Sequence, residues 1–215
     1  MGDAEMTATG PPVEALLPER SSLPALREAA TGCRACELWR LGTQTVFGEG
    51  AANAEVVLVG EQPGDREDVE GHPFVGPAGA ELDHALREAG LEREAIYVTN
   101  VVKHFRWTQR GKRRLHQKPD AAHVAACLPW LRAELETVRP RLLVCLGATA
   151  AQAVLGPQVR VLRDRGQFYP SPLDVTTMPT VHPSSILRAP DAGARERAHR
   201  DFVADLATAA DWLRR

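Results

Sequence analysis

The run Val56-Val57-Leu58-Val59-Gly60 constrains this chain more than any other stretch. It is continuous, apolar and mostly β-branched, so it has no polar side chain to turn toward water, and a strand built from it must be covered on both faces. That requirement points to a parallel sheet sandwiched between helices. The rest of the chain keeps the pattern: Ile96-Tyr97-Val98-Thr99-Asn100 and Leu142-Leu143-Val144-Cys145-Leu146 are further buried-strand candidates, and Thr176 to Val181 supplies a fourth. Helical signals fall between them. Leu82, Ala85, Leu86 and Ala89 share one face ahead of Gly90, and Val124, Leu128, Leu131 and Leu135 share another after the capping Asp120, with Pro129 expected to bend that helix. Leu23 to Ala30, Ala148 to Leu155 and about Ala194 to Leu213 complete the helices.

Ligands in sheets of this class sit outside the carboxyl ends of the strands. The segments after Gly60, Asn100 and Val181 leave from such ends, which brings Glu61, the residues following Asn100, and His182 to one rim. Residues 1–22 mix Gly, Pro, Thr, Glu and Ser and read as a flexible tail, leaving 23–215 as a single domain. No basic stretch followed by an apolar run suggests a secretory signal, and the longest weakly apolar run, Leu142 to Gly156, is too short to span a bilayer. A cytoplasmic monomer with no membrane partner is expected.

Charge is concentrated in one place. Val101 to Pro119 holds seven Lys or Arg and no acid, while the whole chain has a net charge of -2, so everything else carries about -9. The segment reads as a polar, cationic loop facing a polyanion, with His116 closing the run Lys112-Arg113-Arg114-Leu115-His116. A solvated loop without a ligand is the plainer alternative.

Cys33-x-x-Cys36 has the spacing of two thiolates on one metal, and Cys127 and Cys145 can join them only through the fold. Spacing leaves open Zn²⁺, an iron-sulfur cluster, or two ordinary core cysteines. The loop after Gly60 lacks the Gly-Lys-Ser/Thr of a P-loop; Gly76-Pro77-Ala78-Gly79 at a helix start offers backbone N–H groups to a phosphate, and Phe74 and Trp107 offer faces on which a base can stack. His182-Pro183-Ser184-Ser185 is either a capped turn or a catalytic imidazole with two hydroxyls.

Taken together, Gly60-Glu61-Gln62-Pro63-Gly64, Pro73-Phe74-Val75-Gly76-Pro77-Ala78-Gly79, Asn100-Val101-Val102-Lys103, the four cysteines, Leu146-Gly147-Ala148-Thr149-Ala150 and His182-Pro183-Ser184-Ser185 resemble the family-4 iron-sulfur uracil-DNA glycosylases over roughly residues 30 to 205. The resemblance implies a three-layer α/β/α sandwich around a four-stranded parallel sheet, with Cys33, Cys36, Cys127 and Cys145 holding a structural [4Fe-4S] cluster. It also implies uracil-containing DNA as the partner, single-stranded first, with double-stranded as the alternative. Phe74 would stack on a flipped uracil, Asn100 would bond its polar edge, Gln62, Gly64, Asp65 and Ser184 would line the site, and His182 would stabilise the departing base. Lys112 and Arg113 would hold the DNA backbone.

Two departures are similar to the UdgX subgroup, which is known for bonding covalently to DNA: Gln62 in the first loop, and the inserted Lys112 to His116 after His104-Phe105-Arg106-Trp107. That resemblance implies that His116 attacks C1′ of the sugar with Glu61 assisting and Arg114 fixing the loop, so that each protein molecule acts once. Three alternatives stand beside it: a conventional hydrolytic family-4 glycosylase, a non-catalytic protein that binds damaged DNA, and a zinc-stabilised module with no role on DNA.

Overall fold

A computed structural model of the chain describes residues 10–215. A single turn of 3-10 helix at Val13–Ala15 leads into α1 (Leu23–Thr31), whose cap is Ser22 accepting the Ala25 N–H. A short edge strand β1 (Glu49–Gly50) precedes β2 (Val56–Gly60), followed by α2 (Asp65–Glu70), α3 (Pro77–Glu88) and β3 (Tyr97–Asn100). Next come a hairpin of β4 (Trp107–Arg110) and β5 (Arg113–His116), then α4 (Ala121–Val138), β6 (Leu142–Leu146), α5 (Ala148–Leu155) and α6 (Val161–Asp164). The chain finishes with β7 (Thr176–Thr180), α7 (Pro183–Leu187) and α8 (Ala192–Leu213).

The main sheet has the order β1-β3-β2-β6-β7. Its four long strands are parallel, as the apolar runs require, and β1 adds an antiparallel pairing with β3 through Glu49 and Gly50. The sheet is therefore five-stranded and mixed rather than four-stranded and purely parallel. Two residues are too short a run to carry a strand pattern, so β1 is defined only by the neighbour it joins.

Alternate residues of each strand feed opposite cores, which is the period-two geometry of a strand. Val57, Val59, Leu143 and Cys145 pack with α1, α4 and α5, while Val56, Leu58, Leu142 and Val144 pack with α3 and α8. The strands are buried throughout, so the helical layers cover both faces.

Other expectations change in detail. α3 begins at Pro77, ahead of its apolar face, because the Gly-Pro pair supplies a natural first turn. Pro129 stays inside α4. The expected tail of 1–22 is packed in part: residues 1–9 lie outside the described residues, but Val13 is buried beside α4, with Leu16 and Leu17 packed against the same core. No helix among the described residues is long and apolar enough to cross a membrane.

The largest difference is the cationic segment. Instead of a loop it forms the hairpin β4-β5, with Trp107 opposite His116 and Arg110 opposite Arg113. Gly111 takes φ 59° at the first position of the two-residue turn, the left-handed conformation that a Gly-x hairpin needs.

Candidate active site

The carboxyl ends of β2, β3, β6 and β7 meet in a cavity of about 800 Å³. Its wall brings together Glu61, Gln62, Gly64, Phe74, Asn100, His116, His182 and Ser184, residues scattered over 124 positions of sequence. Asp65, Lys112, Arg113 and Arg114 lie outside the lining.

Gly60 and Asn100 end adjacent parallel strands as partners in register. A Cβ at Gly60 would collide with Asn100 Oδ1 and with the Phe74 ring, so the absence of a side chain there lets both come close. Phe74 is nearly buried and has φ 57°, a conformation that costs a non-glycine residue about 1–3 kcal/mol. Its ring stacks at 26° on His182 with centroids 6.2 Å apart.

Glu67, a residue the sequence did not single out, also lines the cavity. Its buried carboxylate accepts N–H groups from Gly64 (3.1 Å) and Gly76 (2.8 Å), strapping the two glycine-containing loops together. The Gly76 N–H, a candidate phosphate donor by sequence, is thus already engaged. Only the fold pairs a carboxylate in α2 with an amide nine residues on.

His182 caps α7 with its own ring: Nδ1 accepts the Ser184 backbone N–H at 3.1 Å and lies 2.8 Å from the Ser184 hydroxyl. An Nδ1 that accepts must be unprotonated, so in the neutral ring the proton sits on Nε2. Burial, reinforced by the Arg188 and His116 charges, pushes His182 down to about 4, which keeps it neutral near pH 7. The ring is consequently a fixed N–H donor. Arg188, on the cavity wall and 3.0 Å from Ser184 Oγ, is a cation that the sequence reading missed because an arginine after a helix turn has no distinguishing pattern.

His116 stands at the mouth, half exposed, with Nε2 3.3 Å from Glu61 Oε1. The other Glu61 oxygen accepts the Thr149 hydroxyl, so the carboxylate is held from α5 while it faces the imidazole. Partial burial lowers the His116 pKa, Glu61 opposes this, and the Arg188 charge lowers it further; the balance falls below the ordinary histidine value.

The hairpin that carries His116 is clasped at two points. Gln62, buried despite its polarity, donates to the carbonyls of Arg106 (3.2 Å) and Gln117 (3.0 Å) and accepts the Arg106 N–H (3.1 Å), tying together the two feet of the hairpin. Arg114 reaches Asp65 and the fully buried Asp68, each at 2.5 Å, and Asp68 is itself bonded by Thr43. Arg114 thus fixes the hairpin, the role the resemblance implied for it, while Asp65, expected to line the site, is turned to this clasp. The Trp107 ring is likewise engaged, with Nε1–H donating to the Leu41 carbonyl and Arg114 lying 5.5 Å from its centroid. Lys112 and Arg113 remain exposed at the tip.

Beneath the rim, Lys103 is fully buried. Its ammonium donates to Glu134 (2.6 Å), the Thr99 hydroxyl (2.7 Å) and the Asn100 carbonyl (2.8 Å), while Glu134 also accepts from Tyr97 and the Gly48 N–H. Every group is paired, as a buried ion pair requires. The Lys103 N–H also donates to Cys127 Sγ at 3.3 Å, and Trp130 Nε1 donates to Cys33 Sγ at 3.4 Å. Cys33, Cys36, Cys127 and Cys145 are all free, buried, and part of one core. Burial pushes the Cys36 thiol up to about 11 and Cys127 to about 12, with Cys145 raised as well.

The profile of the uracil DNA glycosylase superfamily matches residues 47–207, and the chain belongs to that superfamily. Several relatives carry the name type-4 uracil-DNA glycosylase. One from Sulfurisphaera tokodaii is 33% identical over 84% of this chain and 82% of its own length. Another from Thermotoga maritima is 39% identical over 75% and 81%, and one from Archaeoglobus fulgidus is 36% identical over 79% and 84%. The chain falls with this type-4 branch.

Proposed function

We propose that the protein excises uracil from DNA at this cavity. The observation that carries the reading is the His182 ring, a neutral donor fixed on Nε2 and stacked on Phe74 in a cavity that Asn100 also lines. A base flipped out of the strand stacks on Phe74, at a cost of roughly a few kcal/mol when it leaves a duplex, and Asn100 pairs with its polar edge. A pocket wired for uracil leaves groups unpaired against cytosine. As the N-glycosidic bond breaks, its electron pair departs with the base, and the His182 N–H stabilises charge on uracil O2.

The sugar, now cationic at C1′, has two possible fates. Capture by water gives an abasic site and free uracil, and the names of the type-4 relatives favour this conventional outcome. Capture by His116 is the second reading, and the pairing of His116 with Glu61 at the cavity mouth supports it for this chain. One imidazole nitrogen then bonds to C1′, the proton on the other passes to Glu61, and the departing base takes a proton from solvent. This is the outcome known for the UdgX subgroup. The two readings share the excision step and differ only in what reaches C1′ first.

Residues at the hairpin tip, Lys112 and Arg113, are read as contacts to DNA phosphates, which makes binding weaken with salt. Cys33, Cys36, Cys127 and Cys145 are read as the ligands of a [4Fe-4S] cluster. Thiols raised this far by burial become thiolates only against a bound cation, and the N–H groups of Lys103 and Trp130 directed at their sulfurs suit anionic ligands. The cluster would cross-link α4 and β6 to the segment after α1.

Incubation with uracil-containing single-stranded DNA tests both fates. A band of reduced mobility on a denaturing gel, lost in His116→Ser, supports capture by His116. Free uracil with abasic DNA and no retarded band leaves the hydrolytic reading standing, and no release of uracil in either form overturns the excision itself.

A further inference from the structure

On the helical layer that covers the sheet opposite the cysteines, α3 and α8 bring two imidazoles and two carboxylates together, none of which lines the cavity. His84 Nε2 lies 2.8 Å from Glu88 Oε1, and His199 Nε2 approaches the same oxygen at 3.3 Å. The two imidazole rings stack at 28° with centroids 4.7 Å apart. One ligand atom from each of His84, Glu88 and His199 lies within 4.8 Å of the others.

We infer that His84, Glu88 and His199 form a binding site for one divalent transition-metal ion of the Zn²⁺ type. Two imidazoles and one carboxylate are a donor set that suits such ions, with remaining positions left to water. A further residue completes the arrangement: His199 Nδ1 lies 2.6 Å from Glu81 Oε1, and both side chains are only 14% exposed. A ligating histidine normally gives its second N–H to a carboxylate, which fixes the ring and strengthens it as a ligand. Glu81 holds that position while Glu88 faces the ion. His84 and Glu88 share one face of α3 at helical spacing, and His199 comes across from α8, so the ion would clip the two helices together.

The competing account uses the same contacts with protons alone. Burial lowers His199, but hydrogen bonds to Glu81 and Glu88 outweigh it, and the ring ends above its ordinary value. A proton bridging two carboxylates and a metal ion held by two imidazoles are different occupants of one cluster, and only the second takes up an ion.

The test is calorimetric titration of Zn²⁺ into the full chain as purified, after its cysteine-bound metal has been quantified, alongside thermal melting with and without Zn²⁺. The wild type should take up one further equivalent and melt higher with the ion. His84→Ala and Glu88→Gln should lose that equivalent and the Zn²⁺-dependent shift while melting normally without it, and Glu81→Gln should weaken binding by about 10–100-fold. No uptake beyond the cysteine-bound metal overturns the proposal, as does uptake by His84→Ala equal to that of the wild type. His84 is half exposed, so its variant remains interpretable even if His199→Ala fails to fold.

Discussion

His182 and His116 face one cavity from two kinds of structure. His182 sits on the parallel sheet, at a helix cap, over a strand end whose neighbours are buried and fully paired. His116 rides on a two-stranded hairpin outside the sheet, joined to it by Gln62 at the feet and by Arg114 along the side. In the first region position is enforced by the core of the molecule. In the second it is enforced by a few side-chain clasps, so geometry there can be loosened without unfolding the protein.

The strongest way to break this contrast is at Lys103. Lys103→Met leaves Glu134 buried without its cation, and breaking such a pair costs about 3–5 kcal/mol. Chemical denaturation should show that loss, and an unchanged midpoint would mean that the sheet rim is not held by this network. Next in size is His182→Ala. Removing one preorganised donor costs about 10²–10³ in rate, so uracil release should fall by that factor while the circular dichroism spectrum stays native.

Gln62→Ala addresses the other region. It deletes three hydrogen bonds that tie the hairpin feet, each worth about 0.5–1.5 kcal/mol, so loss of the strap should reduce adduct formation more than uracil release. Equal loss of both would place Gln62 with the sheet rim. The smallest effect separates the two histidines by pH. His116 lies below the ordinary value and loses its free lone pair only as pH falls through that lowered value, whereas His182 titrates at about 4. Adduct yield should therefore be flat from pH 8 to about 6.5 and fall below it, with uracil release persisting to lower pH.

The same contrast explains what could be read without coordinates. Val56–Gly60 and Leu142–Leu146 announce themselves because a strand buried on both faces has almost no polar choice. Trp107–Arg110 and Arg113–His116 do not, since a hairpin in solvent can carry charges at every position and then resembles a loop. Family motifs located Glu61, Asn100 and His182, whose local sequence is distinctive. They placed Asp65 in the site lining because motifs carry no information about which side chains satisfy one another; Arg114, expected to fix the loop, is what engages it. Glu67 and Arg188 were invisible for a related reason: each acts through a partner 9 or 4 residues away, in a pairing that only the folded chain creates, and Thr149, though part of a family motif, finds Glu61 88 residues away in the same manner.

The order β1-β3-β2-β6-β7 has a consequence for biosynthesis. His116 leaves the ribosome 66 residues before His182, and at about 5–20 residues per second that interval lasts roughly 3–13 s. During it the hairpin exists without β7, hence without the cap that seats the His182 ring. Where His116 captures C1′, as in the second reading proposed above, the attacking group is thus made before the group that stabilises the departing base, and a chain that ends short of β7 lacks the excision step.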